Sequence, residues 1–134
     1  MPALIKFNQF IEDVYHGEHN FYSDPIKYAL TAQANPPLAT YVSLTNLVQV
    51  SLANASTDTF TTISSNQVNG LYSFILDDLN VAAAGGDIGP FRYAVLYNGT
   101  NDRLIGYSDY GTEITVVNGS IFKFDFGSSL FTTQ

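Results

Sequence analysis

The chain has 134 residues, 46% of them hydrophobic and only 13% charged, with a formal net charge of -7 at pH 7. This length fits one domain around one apolar core; the acidic balance disfavours nucleic acid and anionic lipid as partners, and no apolar run approaches a membrane span. Without cysteine there is neither a disulfide framework nor a thiolate metal site, and so little charge leaves a surface of Thr, Ser, Asn, Gly and Tyr, suited to a protein covered by neighbours or standing outside cells.

The opening MPALIKFNQFIEDV is broken by Lys6, Asn8, Gln9, Glu12 and Asp13, so it does not read as a secretion signal. Leu4, Phe7, Ile11 and Val14, with Phe10 beside them, make one stripe of a short amphipathic helix over about 4–16. Pro2 suits its first turn and Gly17 a left-handed stop. The period then changes to two. Ile26, Tyr28 and Leu30 alternate with Lys27, Ala29 and Thr31 in a strand opening at Pro25, and Asn35-Pro36-Pro37 forces a loop.

A second strand is expected within 41–53, through Leu47 or Val48, Val50 and Leu52, followed by a Thr, Ser and Asn-rich span to about 59 that reads as a mobile loop. Asn69-Gly70 between two β-prone stretches signals a tight hairpin. Ala82 to Asp87 reads as a connector. Two more hairpins are expected, 91–97 with 104–110 and 113–117 with 120–126. A three-residue loop at Val117-Asn118-Gly119 would set Glu113 opposite Lys123 and Ile114 opposite Phe122. Ile114, Val116, Phe122, Phe124 and Phe126 would then form a core face. The whole predicts a mainly β chain: a single β-rich domain over 1–134 with its sheet over about 25–131, folded as an antiparallel β-sandwich or partly closed barrel with one short N-terminal α-helix.

Chemistry has few carriers. Glu12 and His16 share a helix face at metal-ligand spacing, but Gly17 ends the helix and no third ligand lies nearby, so a solvated helix end is the simpler reading. Asp77, Asp78 and Asp87 lack the spacing of a calcium loop and read as turn formers. No G-x-S-x-G elbow occurs, only His16 and His19 can act as imidazole bases, and GGDIGP at 85–90 is not a phosphate loop. Paired carboxylates of a glycosidase are not readable from spacing along a chain. The sequons at Asn54, Asn98 and Asn118 carry no weight without a secretion signal. No catalytic residue, cofactor or metal is expected.

The aromatic stretch at 91–110 is different. On a strand, Phe91, Tyr93, Val95 and Tyr97 would share one face and Arg92, Ala94 and Leu96 the other, with Tyr107 and Tyr110 extending the patch from the next strand. Two readings stay open: these rings are core and rim of an ordinary sandwich, or Phe91, Tyr93, Tyr97, Tyr107 and Tyr110 form an interface.

The pattern F-x-x-F-I-E-D-V-x-x-G-x-H-N from Phe7, the run SDPIKYAL at 23–30, and the blocks GPFRYAVLYN at 89–98 and LIGYSDYG at 104–111 resemble a family of small tailed-bacteriophage structural proteins. Pro25 stands where that family usually has Thr, and residues 31–66 match poorly. The resemblance implies a virion protein without catalytic residues, a head decoration or cement subunit on the outer capsid surface, assembled in the host cytoplasm. Its expected partners are the major capsid protein and neighbouring copies, in a small homo-oligomer such as a trimer. The rival expectations are a tail- or fibre-associated module stacking host glycans on its tyrosines, and a glycosidase.

Overall fold

The computed structural model describes residues 1–127 and 130–133; residues 128, 129 and 134 of the expected domain, the first two also within its expected sheet, lie outside them. In chain order run β1 (Ile5–Lys6), α1 (Phe10–Tyr15), β2 (Ile26–Thr31), a 3-10 turn at Leu44–Asn46, β3 (Thr62–Val68), β4 (Leu71–Leu76), β5 (Leu79–Ala82), β6 (Ile88–Asn98), β7 (Leu104–Val116), β8 (Ile121–Phe124) and β9 (Phe131–Thr133). They form three antiparallel sheets ordered β1-β7-β6-β2, β3-β4-β9 and β5-β8. The fold is therefore mainly β and sandwich-like, and none of the sheets closes into a barrel.

The main core lies where the three sheets face one another. Tyr28, Leu30, Phe91 and Leu96 of the large sheet meet Phe74, Leu76 and Phe131 of the second and Val81 and Phe124 of the third. Burying each large side chain contributes roughly 1.5–3 kcal/mol. Phe124 is a hinge between layers, its ring 4.7 Å from Tyr28, 5.3 Å from Phe60 and 5.0 Å from Phe122.

Residues 26–31 form the expected strand and pair with β6 from Ile26 opposite Asn98 to Thr31 opposite Tyr93. The Asn69-Gly70 hairpin is equally direct: both residues have positive φ, +53° and +81°, and Val68 pairs with Leu71 across a two-residue turn. The hairpin of β6 with β7 forms as well.

The helix is shorter than its stripe. Ile5 and Lys6 leave it to pair with Tyr107 and Gly106 of β7. That approach needs a glycine, because a Cβ at Gly106 would stand 2.8 Å from Leu4 Cγ and 2.9 Å from the Ile5 carbonyl oxygen. Phe7 accordingly joins a different apolar cluster from Phe10, and Ile11, on the same expected apolar stripe, is exposed.

Residues 41–53 do not form a strand. Ser43 caps the 3-10 turn, its Oγ accepting from the Thr45 amide, while Asn46 Oδ1 accepts from the Ser43 amide. The expected mobile span at 54–59 is tied down: the Ser56 amide donates to the Ala82 carbonyl at 3.0 Å, and the Tyr28 amide to that of Asp58 at 3.1 Å. The last expected hairpin is also corrected. Residues 121–124 pair with β5, Leu79 opposite Phe124 and Asn80 opposite Lys123, whereas Ile114 and Val116 continue along β6 opposite Phe91 and Ile88. The turn chemistry holds, with Gly119 at φ +88° and the Ser120 amide bonded to the Val117 carbonyl. All five expected core residues do pack on the main cluster, Val116 and Phe124 as buried members and Ile114, Phe122 and Phe126 as half-buried flanks.

Candidate functional site

Between Phe91 and Tyr93 the pairing partner jumps from Ile114 to Asp109, so Tyr110 to Glu113 bulge out of β7. Asp109 anchors the bulge, accepting from Arg92 Nε at 2.8 Å and Nη2 at 3.2 Å and from the Gly111 amide at 2.8 Å. The irregularity splits the expected aromatic face. Phe91 joins Ala94 and Leu96 in the main core, whereas Val95 and Tyr97 belong to a second cluster on the opposite side of the sheet with Phe7, Ala29, Leu47 and Leu104.

The cover over that second side comes from the chain itself. The 41–47 segment is stitched to β7 and the loop before it by the Leu104 amide donating to the Val42 carbonyl at 3.0 Å and the Leu44 amide to that of Asp102 at 2.8 Å, and Tyr41 and Leu44, like Tyr107, pack against this second cluster. Phe91 is 0% exposed, so this expected interface residue has no surface to offer. Tyr93 and Tyr97 are each 8% exposed, and Tyr107 is half-buried 5.3 Å from Phe7. Tyr110 is half-buried with its hydroxyl enclosed and unpaired, and burial pushes its phenol up to about 12. The expected patch is thus mostly interior.

The accessible apolar surface lies elsewhere, in a groove of about 710 Å³ between α1 and the β3-β4-β9 sheet. Phe10, Val14 and Phe21 line one wall and Tyr72 and Phe131 the other, and none of the described lining residues is a carboxylate. Ile11, Tyr15 and Tyr22 at its margin are 56%, 81% and 85% exposed. The sequence signal for this surface was present: Tyr15 and Tyr22 lie outside the helical stripe and the strand alternation, so nothing in the fold required them to be aromatic.

Behind the groove sits a polar cluster that fixes its helical wall. Asp13, 2% exposed, accepts from Arg103 Nη1 at 3.4 Å and Gln9 Nε2 at 3.3 Å. The Asn98 side chain, fully buried, reaches Asp24 Oδ2 at 2.8 Å and His19 Nδ1 at 3.2 Å. With that amide donating to Nδ1, the ring's own proton sits on Nε2, which is buried without a partner. Burial holds the His19 pKa below 6.5 despite neighbouring Asp13, Asp24 and Glu18. His19 also stacks on Phe21 at 5.3 Å, so the cluster supports the groove floor.

The other singled-out residues have structural partners. Glu12 bonds with Gln9, and its carbonyl accepts from the His16 amide at the helix end. Asp78 Oδ1 accepts from the Phe126 amide at 2.9 Å and Asp87 Oδ1 from the Asn118 amide at 2.8 Å, so both are loop fasteners. Among the described residues no three His, Asp or Glu side chains are grouped to hold a metal ion, and no helix is long and apolar enough to cross a membrane. No protein-family model, curated protein or solved structure matches the chain.

Proposed function

We propose that the chain is a structural subunit of a bacteriophage virion, a decoration protein that stabilises the mature head by docking on the major capsid protein, as a small homo-oligomer such as a trimer. The observation that carries this reading is the aromatic groove beside α1, with Lys6 as the charged side chain among its described lining residues, whose margin leaves Ile11, Tyr15 and Tyr22 in water. Exposed aromatic and aliphatic side chains grouped in this way are typical of surfaces that are dry in an assembly. The two sequence blocks that resemble phage structural proteins point the same way. Many copies, each with a modest contact, add up on a repeating shell.

A tail-associated glycan-binding module is the competing reading. Of the four tyrosines it would stack on, it loses Tyr93 and Tyr97, which are covered, and keeps the half-buried Tyr107 and Tyr110, to which the exposed Tyr15 and Tyr22 add a second platform. A glycosidase would need two facing carboxylates, which the groove lacks among its described lining residues. Antibody labelling of purified particles tests the proposal: heads carry the protein and particles stripped of it rupture at lower temperature. Labelling confined to tails, or absent from virions, refutes it.

A further inference from the structure

β3 is an unusual edge strand. Its seven residues, TISSNQV, contain no charge and no proline, and among the described residues only β4 pairs with it. Natural sheet edges are normally blunted by lysine, proline, cover or extreme shortness. The outer edge of β2 shows such cover, with isolated bridges from Lys27 to Thr59 and from Thr31 to Gln49. β3 has none of these devices, and its one irregularity, between Thr62 and Ser64, lies at the end away from Gln67.

The hairpin fixes which backbone groups stand free. In a two-residue turn the closing pair, Val68 with Leu71, exchanges both hydrogen bonds, so Asn66 and Ser64 also bond toward β4. Ser65 and Gln67 therefore direct their amide and carbonyl groups outward. The Leu130 amide bonding to the Phe74 carbonyl at 2.7 Å agrees, since Phe74, opposite Ser65, turns its own groups toward β9. The side chain of Ser65 bonds Tyr72 and lines the aromatic groove, so the free edge and the groove share a wall.

We infer that the free edge of β3 and the adjoining groove together bind an extended polypeptide segment by strand addition. The segment pairs with Ser65 and Gln67 through its backbone and places every second side chain, apolar, toward the groove. The side chains it turns into the groove are uncharged, since Lys6 at the groove wall repels a cation there and the apolar walls exclude an anion, whereas its flanks, outside the groove, are neutral or basic to suit a chain of net charge -7. A second copy of β3 fits less well. Its groove-facing side chains would be Ser65 and Gln67, which are polar and would leave the apolar walls uncovered. The inference deepens the virion reading by supplying a mode of docking, and rests on it only for the source of the segment, a neighbouring virion subunit.

The test uses the full chain and a blocked nonapeptide that alternates Val and Thr between two terminal Lys residues. Hydrogen exchange at the Ser65 and Gln67 amides should slow at least about tenfold at saturating peptide, with little change at Asn66, which already bonds to β4. A peptide of the same composition with its Val residues in one block should bind about tenfold more weakly or worse. Gln67→Pro removes an outward donor at an edge position that tolerates proline, and should abolish the protection while β4 pairing persists. Tyr15→Ser, at a side chain 81% exposed, should weaken binding at least about fivefold with an unchanged melting temperature. Unaltered exchange at Ser65 and Gln67 overturns the inference. So does protection that grows with protein concentration without peptide, which would assign the edge to a second copy. Because this arm needs no particles, its failure is separate from loss of the virion reading, which the labelling of heads decides.

Discussion

Replacing Arg103 by methionine probes the hold on α1. Asp13 is 2% exposed and Arg103 Nη1 lies 3.4 Å from its Oδ1, while the arginine side chain is 33% exposed. Removing one partner of a buried pair costs about 3–5 kcal/mol because a charge is left uncompensated. The arginine is partly in water and Gln9 still donates to Asp13, so the loss falls below that range, at about 2–3 kcal/mol. For a chain of this size that is a fall in melting temperature of roughly 6–15 °C. Urea unfolding followed by circular dichroism measures the loss. The decisive comparison is Asp13→Asn in the Arg103→Met background, which neutralises the stranded carboxylate and should return about 1–2 kcal/mol. A loss below about 0.5 kcal/mol for Arg103→Met, or no recovery in the double variant, refutes the clamp.

Phe124→Ala, at a ring 1% exposed and shared by two sheets, should cost about 3–5 kcal/mol in the same assay, and a value near 1 kcal/mol would mean the layers are not joined there. Tyr110→Phe removes a buried unpaired hydroxyl and should stabilise by about 1 kcal/mol; destabilisation would expose a partner for that oxygen. Acid should destabilise in two stages. His19 has a folded pKa below 6.5, so the unfolded chain takes up its proton first and stability falls as pH drops from about 6.5 until the folded ring also protonates. Burial would raise the Asp24 pKa, but hydrogen bonds from Asn98, the Asn20 amide and Thr100 hold it below 3.8, so its contribution, present above 3.8, is lost as pH falls through the lowered value. His19→Gln should flatten the urea midpoint between roughly pH 5 and 8, and a flat wild-type profile over that window would be contrary to this account.

The parts of the fold legible in the sequence were those set by local rules. Alternation at Ile26–Thr31 and the positive-φ demand at Asn69-Gly70 act over a few residues, and both elements form as written. Failures came where distant chain intervened. The stripe from Leu4 to Val14 obeys a helical period, yet Gly106, a hundred positions on, draws Ile5 and Lys6 into a sheet. Leu79–Ala82 is a strand of four residues, too short for its alternation to stand out from the connector after it, and it took the partner that sequence alone gave to 113–117. Among the expected interface residues Phe91, Tyr93 and Tyr97 are interior for a related reason. A two-sided apolar strand announces that both faces are covered, but not whether the cover is another molecule or the chain's own 41–47 segment.

The clamp between Arg103 and Asp13 ties the short helix to the start of β7, so one bank of the groove is stiff before anything enters. Conformational entropy lost on association then falls almost wholly on the incoming strand. Affinity should follow how extended that strand already is in its own protein, and two segments of equal composition would be sorted by their rigidity before they were sorted by their side chains.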